Sequence, residues 1–230
     1  MGDDGAMPEH GCHPPRAGYR LLIFDFDGTL ADTFPFFLRT MDVLADEFGF
    51  RRIGAHEVDG LRGCGARQML RHVGLPLWKM PRVAARFIQL MSARIDEVAL
   101  FDGVDRLLPR LAAYGCELAV VTSNLRDNVR RVLGEDTDAL FAHHECGAAI
   151  FGKRARLERV VRRSGVAREQ VLCIGDELRD AEAARAAGLA FGAVGWGYTR
   201  LDALRAHAPE VVFERVEDIA GHIIAATPAA

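Results

Sequence analysis

The chain has 230 residues, of which 50% are apolar, and its formal net charge at pH 7 is −3. This length suits one large domain, or a core domain with an insertion, and the apolar share is sufficient for a sizeable core. The balanced charge excludes a global basic field for nucleic acid or an anionic membrane surface, and no apolar run reaches the roughly 18 residues of a membrane span.

The N-terminus and the cysteines indicate a cytoplasmic protein. No basic-then-apolar signal pattern opens the sequence. The cysteines are scattered, odd in number and without a CxxC pair, which indicates reduced thiols and argues against a disulfide framework or a zinc site. They are Cys12, Cys64, Cys116, Cys146 and Cys173.

The first part of the chain predicts an extension, one strand and a helical segment. Residues 1–18 are rich in glycine, proline and charge, which is typical of disorder. The apolar run at 19–24 ends in a turn signal and predicts a buried strand. Apolar residues follow helical spacing over 36–48, and residues 56–98 carry helical patterns without a clear strand. We therefore expect an inserted all-helical subdomain over residues 34–102.

The rest of the chain alternates helices with continuous apolar strands. The predicted helices are 103–114, 125–133, 151–165 and 178–188, and the predicted strands are 116–124, 171–177, 189–197 and 210–213. This alternation predicts an α/β fold, in which helices cover both faces of a parallel sheet. The expected core domain comprises residues 19–33 and 103–230.

Polar residues follow three of the predicted strands, at the sheet edge where open α/β folds bind ligands. They are Asp25, Asp27, Thr122, Ser123, Asn124, Asp176, Glu177 and Asp180. Residues two apart on a strand point the same way, so the first two aspartates are expected to line one pocket. Converging carboxylates repel one another unless a cation neutralises them, and oxygen ligands suit Mg²⁺. The hydroxyls and amides, with a lysine, suit phosphate, so the pattern favours phosphoryl transfer to an aspartate.

Each element of this pattern also has an ordinary structural interpretation. An Asp-Gly pair often marks only a turn, Thr-Ser-Asn at a strand end often caps a helix, and a lone lysine is usually solvated. The order, spacing and strand-end positions of all these elements agree, however, and this joint pattern favours the functional interpretation.

The sequence resembles the haloacid dehalogenase-like (HAD) hydrolase superfamily in four motifs. "DFDGTLADT" is similar to the first motif, "VVTSN" to the second, Lys153 in "FGKRARL" to the third and "IGDELRDAEAARAAG" to the fourth. The similarity spans about residues 20–215, and it is greatest to phosphoglycolate phosphatase-type members with a helical C1 cap. The resemblance implies a Rossmann-like core with the cap at 34–102.

The resemblance also implies a role for each matching residue. Asp25 would be the nucleophile, and Asp27 the general acid and then the general base. Mg²⁺ would be held by the Asp25 carboxylate, the Asp27 backbone carbonyl and Asp176, with Asp180 orienting the water shell of the metal. Phosphate would be bound by Thr122 and by backbone amides near Ser123 and Asn124, while Lys153 would balance the charge of Asp25 and the phosphoryl oxygens.

Two features of the motifs leave questions open. Arg154 follows Lys153 where the third motif often has proline, and Glu177 is either an acid close to the metal or a charge at a helix N-terminus. Only two of the 29 basic residues are lysines, Lys79 and Lys153. A compact ammonium fits between a carboxylate and a phosphate where a planar guanidinium does not, which agrees with a specific role for Lys153.

The motifs favour phosphatase chemistry over its relatives. Asp27 provides the acid that dehalogenase and phosphonate-cleaving members lack, and Phe37 stands where mutase members carry a histidine. We expect a Mg²⁺-dependent phosphatase acting on a small phosphorylated metabolite, such as phosphoglycolate or a sugar phosphate, as a monomer or homodimer. The alternatives are a phosphomutase and a non-catalytic, receiver-like binding protein, whose motif order differs from this one.

The inserted segment offers candidate substrate contacts. Arg62 and Arg67 either meet a substrate carboxylate or second anion, or belong to a solvated helix start. The aromatic cluster of Phe34, Phe36 and Phe37 indicates packing at the cap hinge more than a substrate platform. The "GWGY" turn at 195–198 either borders the site or packs as an ordinary turn.

Overall fold

The protein is described here from a computed structural model. It describes residues 18–64, 66–147 and 152–225, with only the backbone for 66, 67 and 225. The predicted disordered extension, residues 1–18, lies outside this description except for its last residue.

Six strands form one sheet in which all neighbours run parallel. They are β1 (Leu21–Phe24), β2 (Glu117–Val121), β3 (Phe141–Glu145), β4 (Val171–Gly175), β5 (Ala190–Val194) and β6 (Val211–Phe213). The spatial order is β3-β2-β1-β4-β5-β6, the doubly wound order of a Rossmann-like sheet. The predicted α/β class with a Rossmann-like parallel core is therefore confirmed.

The third strand is the strand that the sequence pattern did not predict. Its sequence, "FAHHE", is not a continuous apolar run, because β3 lies at a sheet edge and only its end residues are buried. Adjacent His143 and His144 make separate acid contacts, with Glu117 and Asp138 respectively.

Eleven α-helices occur in the described parts of the chain. They are α1 (Phe34–Phe48), α2 (Val58–Leu61), α3 (Ala66–His72), α4 (Met80–Ala93), α5 (Val104–Ala113), α6 (Arg126–Leu133), α7 (Glu135–Asp138), α8 (Lys153–Ser164), α9 (Leu178–Ala186), α10 (Leu201–Arg205) and α11 (Val216–Ala225). The longer predicted helices agree with these bounds within a few residues, whereas α7, α10 and α11 were not predicted.

Strand side chains alternate between two apolar layers, as the period of a strand requires. Leu22 and Phe24 belong to the layer that includes residues of α5 and α11, and Leu21 and Ile23 to the layer with α8 and α9. Every residue of β1 is buried, because helices cover both faces of this central strand.

The segment between β1 and β2 contains helices α1 to α5, and no strand of the sheet lies in its described residues. A separate apolar cluster holds α1 against α4 and the turn before it, through Leu44, Val73, Leu75 and Val83. None of the described helices is long and apolar enough to cross a membrane.

The cysteines make no disulfide within the described residues. Cys64, Cys116, Cys146 and Cys173 are free thiols, and Cys12 lies outside the description. Burial raises the pKa of Cys173 to about 12, so this thiol stays protonated at neutral pH.

Candidate active site

The site lies where the strand order reverses, between β1 and β4. These strands are in register, Phe24 opposite Ile174, and the Asp25 amide donates to the Ile174 carbonyl at 2.9 Å. Asp25 and Asp176 therefore leave neighbouring strands side by side, in the crevice that doubly wound sheets use for ligands.

Helix α9 supplies the third carboxylate of the site. Glu177 is its N-cap residue, and the Glu177 amide donates to Asp180 Oδ2 at 3.1 Å in a capping box. A β-carbon on Gly175 would lie 2.5 Å from Asp180 Oδ2, so glycine leaves the space that this carboxylate occupies. This capping box holds the Asp180 carboxylate toward the strand end. It also places Glu177 at a helix N-terminus, one of its two expected positions.

Three buried carboxylates and one ammonium form the centre of the site. Carboxylate oxygens of Asp25, Asp176 and Asp180 all lie within 4.8 Å of one another. Lys153, the first residue of α8, places its Nζ 2.9 Å from Asp25 Oδ1 and 2.6 Å from Asp180 Oδ1. The single ammonium thus bridges two acids and does not contact the third closely.

Burial raises the pKa values of two of the three carboxyl groups. Burial raises the pKa of Asp25 to about 7, although Lys153 opposes this rise. Burial and the neighbouring acids Glu177 and Asp25 raise the pKa of Asp176 well above its usual range. Burial acts on Asp180 too, but Lys153 and Arg179 outweigh it, and the Asp180 pKa is lowered.

The donor set fits a hard divalent cation. Asp25 Oδ2 is buried and has no hydrogen-bond partner, which leaves one carboxylate oxygen available inside the cluster. The ligand atoms are oxygens, which Mg²⁺ prefers over nitrogen and sulfur. A cation there would offset the burial and the mutual repulsion that raise the pKa values of Asp25 and Asp176.

The Asp176 carboxylate is positioned by its neighbours on both sides. Its Oδ1 accepts a hydrogen bond from the Thr29 hydroxyl at 2.7 Å, and its Oδ2 accepts one from the Tyr198 amide at 2.7 Å. A β-carbon on Gly28 or Gly197 would overlap the Asp176 side chain, and Gly28 also has a φ of +79°. Glycine at these two positions therefore lets two loops close on one carboxylate.

Asp27 has a different environment from Asp25, because β1 ends at Phe24 and the two-residue period of the strand does not continue to Asp27. Its carboxylate accepts hydrogen bonds from Asn124 Nδ2 at 3.0 Å and from the Thr122 hydroxyl at 3.4 Å. Burial raises the pKa of Asp27 to about 6, and the Asn124 amide limits this rise. Asp27 lines a large cavity, whereas Asp25 lines a small one beside Lys153.

The expected phosphate-binding residues lie next to Asp27. Besides its contact with Asp27, the Thr122 hydroxyl accepts a hydrogen bond from the backbone amide of Asn124 at 3.0 Å. Ser123 lines the large cavity, as does Asn124. Thr122 and Asn124 therefore hold the Asp27 carboxylate. That they also bind phosphate stays a prediction.

Arg62 links the inserted helices to the core. Its guanidinium donates to the carbonyls of Gly197 at 2.7 Å and Tyr198 at 3.1 Å, and it lies over the Phe34 ring. The side chain of Arg67 lies outside the described atoms. The expectation that these arginines bind a substrate anion stays a prediction.

The aromatic cluster is divided between packing and the cavity. Phe36 is buried, whereas Phe34 and Phe37 line the cavity and contact the Tyr198 ring. Trp196 donates from its indole nitrogen to the Thr29 carbonyl at 3.1 Å. The "GWGY" turn therefore borders the site through Tyr198, one of the two interpretations left open by the sequence.

Arg179 is a site residue that sequence reasoning missed. It lies within the fourth motif, pairs with Glu177 at 2.5 Å and has a buried Nε without a hydrogen-bond partner. Its positive charge also opposes the rise in the pKa values of Asp25 and Asp27. Its place one residue before Asp180 was the available signal, because this helical turn faces the strand end.

Comparison with known proteins identifies the family. Residues 22–194 match the family described as haloacid dehalogenase-like hydrolase. A phosphoglycolate phosphatase of Synechococcus elongatus is 34% identical over 199 residues, which cover 86% of this chain and 94% of that protein. One from Xanthomonas campestris is 32% identical over 191 residues, which cover 78% and 84%.

A solved structure shows the same fold. A haloacid dehalogenase-like family hydrolase from Streptococcus pneumoniae matches with a TM-score of 0.75 at 19% identity, over 89% of this chain and 98% of that one. The chain belongs to the haloacid dehalogenase-like hydrolase family and is a phosphatase-type enzyme, which confirms the family expected from its motifs.

Proposed function

We propose that the protein is a Mg²⁺-dependent phosphatase that hydrolyses a small-molecule phosphate monoester through an aspartyl-phosphate at Asp25. The carrying observation is the buried cluster of Asp25, Asp176 and Asp180, in which Lys153 neutralises one charge and one oxygen of Asp25 has no partner. Asp25 and Asp176 would hold the metal, together with the backbone carbonyl of Asp27, and Asp180 would orient its water shell. When bound, Mg²⁺ supplies positive charge to the carboxylates and to the phosphoryl oxygens.

The first half-reaction transfers the phosphoryl group to the enzyme. An Asp25 carboxylate oxygen attacks phosphorus, and the bond from phosphorus to the ester oxygen breaks. Asp27 gives its proton to the departing oxygen, so the leaving group departs as a neutral alcohol. The Asp27 pKa of about 6 leaves part of this group protonated near neutral pH. Thr122 and Asn124 hold its carboxylate in place.

The second half-reaction restores the enzyme. Asp27, now ionised, takes a proton from water while the water oxygen attacks phosphorus. The bond between phosphorus and the Asp25 oxygen breaks, which releases phosphate and regenerates the carboxylate. The Lys153 ammonium stays beside Asp25 throughout and offsets negative charge on the transferred group.

The remaining expectations on organisation and substrate complete the proposal. The helical segment at 34–102 acts as a cap over the core of 19–33 and 103–230, with Arg62 as one contact between them. Phe37, which packs on Tyr198, fills the position of a mutase histidine, so phosphate release is favoured over transfer. The names of the relatives make phosphoglycolate the first natural ester to assay, followed by sugar phosphates. We place the enzyme in the cytoplasm.

The test measures phosphate release from p-nitrophenyl phosphate with and without Mg²⁺. We expect Mg²⁺-dependent turnover that Asp25→Asn abolishes and that Asp102→Asn retains, since the Asp102 side chain is 99% exposed. Mass spectrometry of enzyme trapped with beryllofluoride or quenched during turnover should place the modification on Asp25. Turnover that persists in Asp25→Asn would overturn the assignment of the nucleophile.

A further inference from the structure

The large cavity joins the acid Asp27 to the interior of the inserted helices. Its volume is about 290 Å³. At the core end its lining includes Asp27, Asn124 and Tyr198, and at the far end it includes Met41 and Ile53. A leaving group protonated by Asp27 would therefore extend from the core into this space.

The walls away from Asp27 are almost entirely apolar. Helices α1 and α4 contribute Leu38, Met41, Ala84 and Ile88 to the lining, and α3 contributes Met69. Apolar walls favour an apolar ligand, because each methylene removed from water adds to binding, whereas a charge placed there loses its hydration.

The described cations at the cavity wall already have partners. Arg62 donates to two backbone carbonyls and lies on the Phe34 ring. Arg179 pairs with Glu177, and its charge acts on Asp25 and Asp27, at the phosphoryl end of the cavity. The Arg179 Nε lacks a hydrogen-bond partner, but it belongs to this same end, so a second anionic group placed among the inserted helices meets no unpaired cation among the described lining residues there.

We propose that the natural leaving group is an uncharged alcohol with an apolar body of several carbon atoms, bound in this cavity. This inference rests on the proposed phosphatase function and specifies its substrate class. It distinguishes the enzyme from its relatives named for phosphoglycolate, whose leaving group is small and carries a carboxylate.

The test is a series of straight-chain alkyl monophosphates from ethyl to hexyl phosphate, with phosphoglycolate alongside, all with Mg²⁺. Each added methylene should raise kcat/KM about fourfold, which corresponds to about 0.8 kcal/mol per buried methylene. The kcat/KM for phosphoglycolate should be lower than that for butyl phosphate. A series without a chain-length trend, or a preference for phosphoglycolate, would overturn the inference while leaving the phosphatase assignment intact. Absence of hydrolysis of every ester would instead reject the phosphatase assignment.

Two alanines of α4 provide a matched pair of variants. Ala84 lines the cavity, whereas its neighbour Ala85 is exposed. In Ala84→Phe the ring should fill part of the cavity and lower the ratio of kcat/KM for hexyl over ethyl phosphate at least about tenfold. Ala85→Phe should keep the ratio of the natural chain. The ratio is taken on one preparation, so inactive or misfolded protein cancels, and an unchanged ratio in Ala84→Phe would refute the assignment of the cavity.

Discussion

The Asp25→Asn variant tests whether the carboxylate cluster is under electrostatic strain without a metal. The Asp25 side chain is almost fully buried, and burial raises its pKa from an ordinary value of 3.8 to about 7. Each pH unit of such a displacement is worth about 1.4 kcal/mol, so ionised Asp25 costs the metal-free fold about 4 kcal/mol. Asparagine has nearly the same shape and carries no charge.

The sign of the pH dependence follows from linkage. Because the pKa of Asp25 is higher in the folded state, its contribution to stability is fully present below pH 3.8 and is lost as the pH rises through about 7. The variant does not suffer this loss. The free energy of unfolding of Asp25→Asn minus that of the natural chain should therefore increase by up to about 4 kcal/mol between pH 4 and pH 8.

The assay is urea unfolding at several pH values in EDTA, repeated with Mg²⁺. Any fixed cost of the new amide, of about 1 to 3 kcal/mol, lowers the free energy of unfolding equally at every pH. The pH dependence of the difference between the two chains is therefore unchanged. At one hundred times its Kd, Mg²⁺ should stabilise the natural chain by about 2.7 kcal/mol at pH 8 and the variant much less. Asp102→Asn, at an exposed acid, is the control. A difference that stays flat from pH 4 to pH 8 would refute the reasoning.

Two further predictions concern the ammonium and a glycine of the site. Lys153→Met should lower kcat at least about 10²-fold. Lys153→Arg should be similarly impaired, because a planar guanidinium does not fit between two carboxylates that lie 2.9 and 2.6 Å from the ammonium. Lys79→Met is the control, and normal turnover in either Lys153 variant would contradict the bridging role. Gly197→Ala should displace the Asp176 carboxylate and weaken Mg²⁺ binding about 10- to 100-fold, as measured by calorimetry. Gly221→Ala is the control: a β-carbon there meets nothing within 4 Å, so this variant should bind Mg²⁺ normally.

The sequence predicted the sheet wherever burial and pattern coincide. β1, β2 and β4 are continuous apolar runs because helices cover both faces, and each was predicted within a few residues. The edge strand β3 exposes part of one face, so its composition does not distinguish it from a loop. Sequence pattern thus predicted the central strands, from which the first and fourth motifs emerge, better than the edge.

Contacts between distant loops were beyond the reach of the sequence. The Tyr198 amide bonds to Asp176 across 22 residues of chain, and Asn124 reaches Asp27 across 97. The spacing of residues along the chain does not predict such pairs, because these contacts depend on how the strands are ordered in the sheet. The local rule that residues two apart share a side does not extend to Asp25 and Asp27, since the strand ends before both.

The different partners of the two acids explain how neighbouring aspartates can take opposite proposed roles. Asp25 faces a permanent cation, Lys153, and would gain a second positive charge with the metal, which would lower its pKa below the value of about 7 and ionise the nucleophile. Asp27 is held by neutral donors, the Asn124 amide and the Thr122 hydroxyl, which stabilise a carboxylate less than a cation does. Burial raises its pKa to about 6, close to neutral, where one group can give a proton and later take one back.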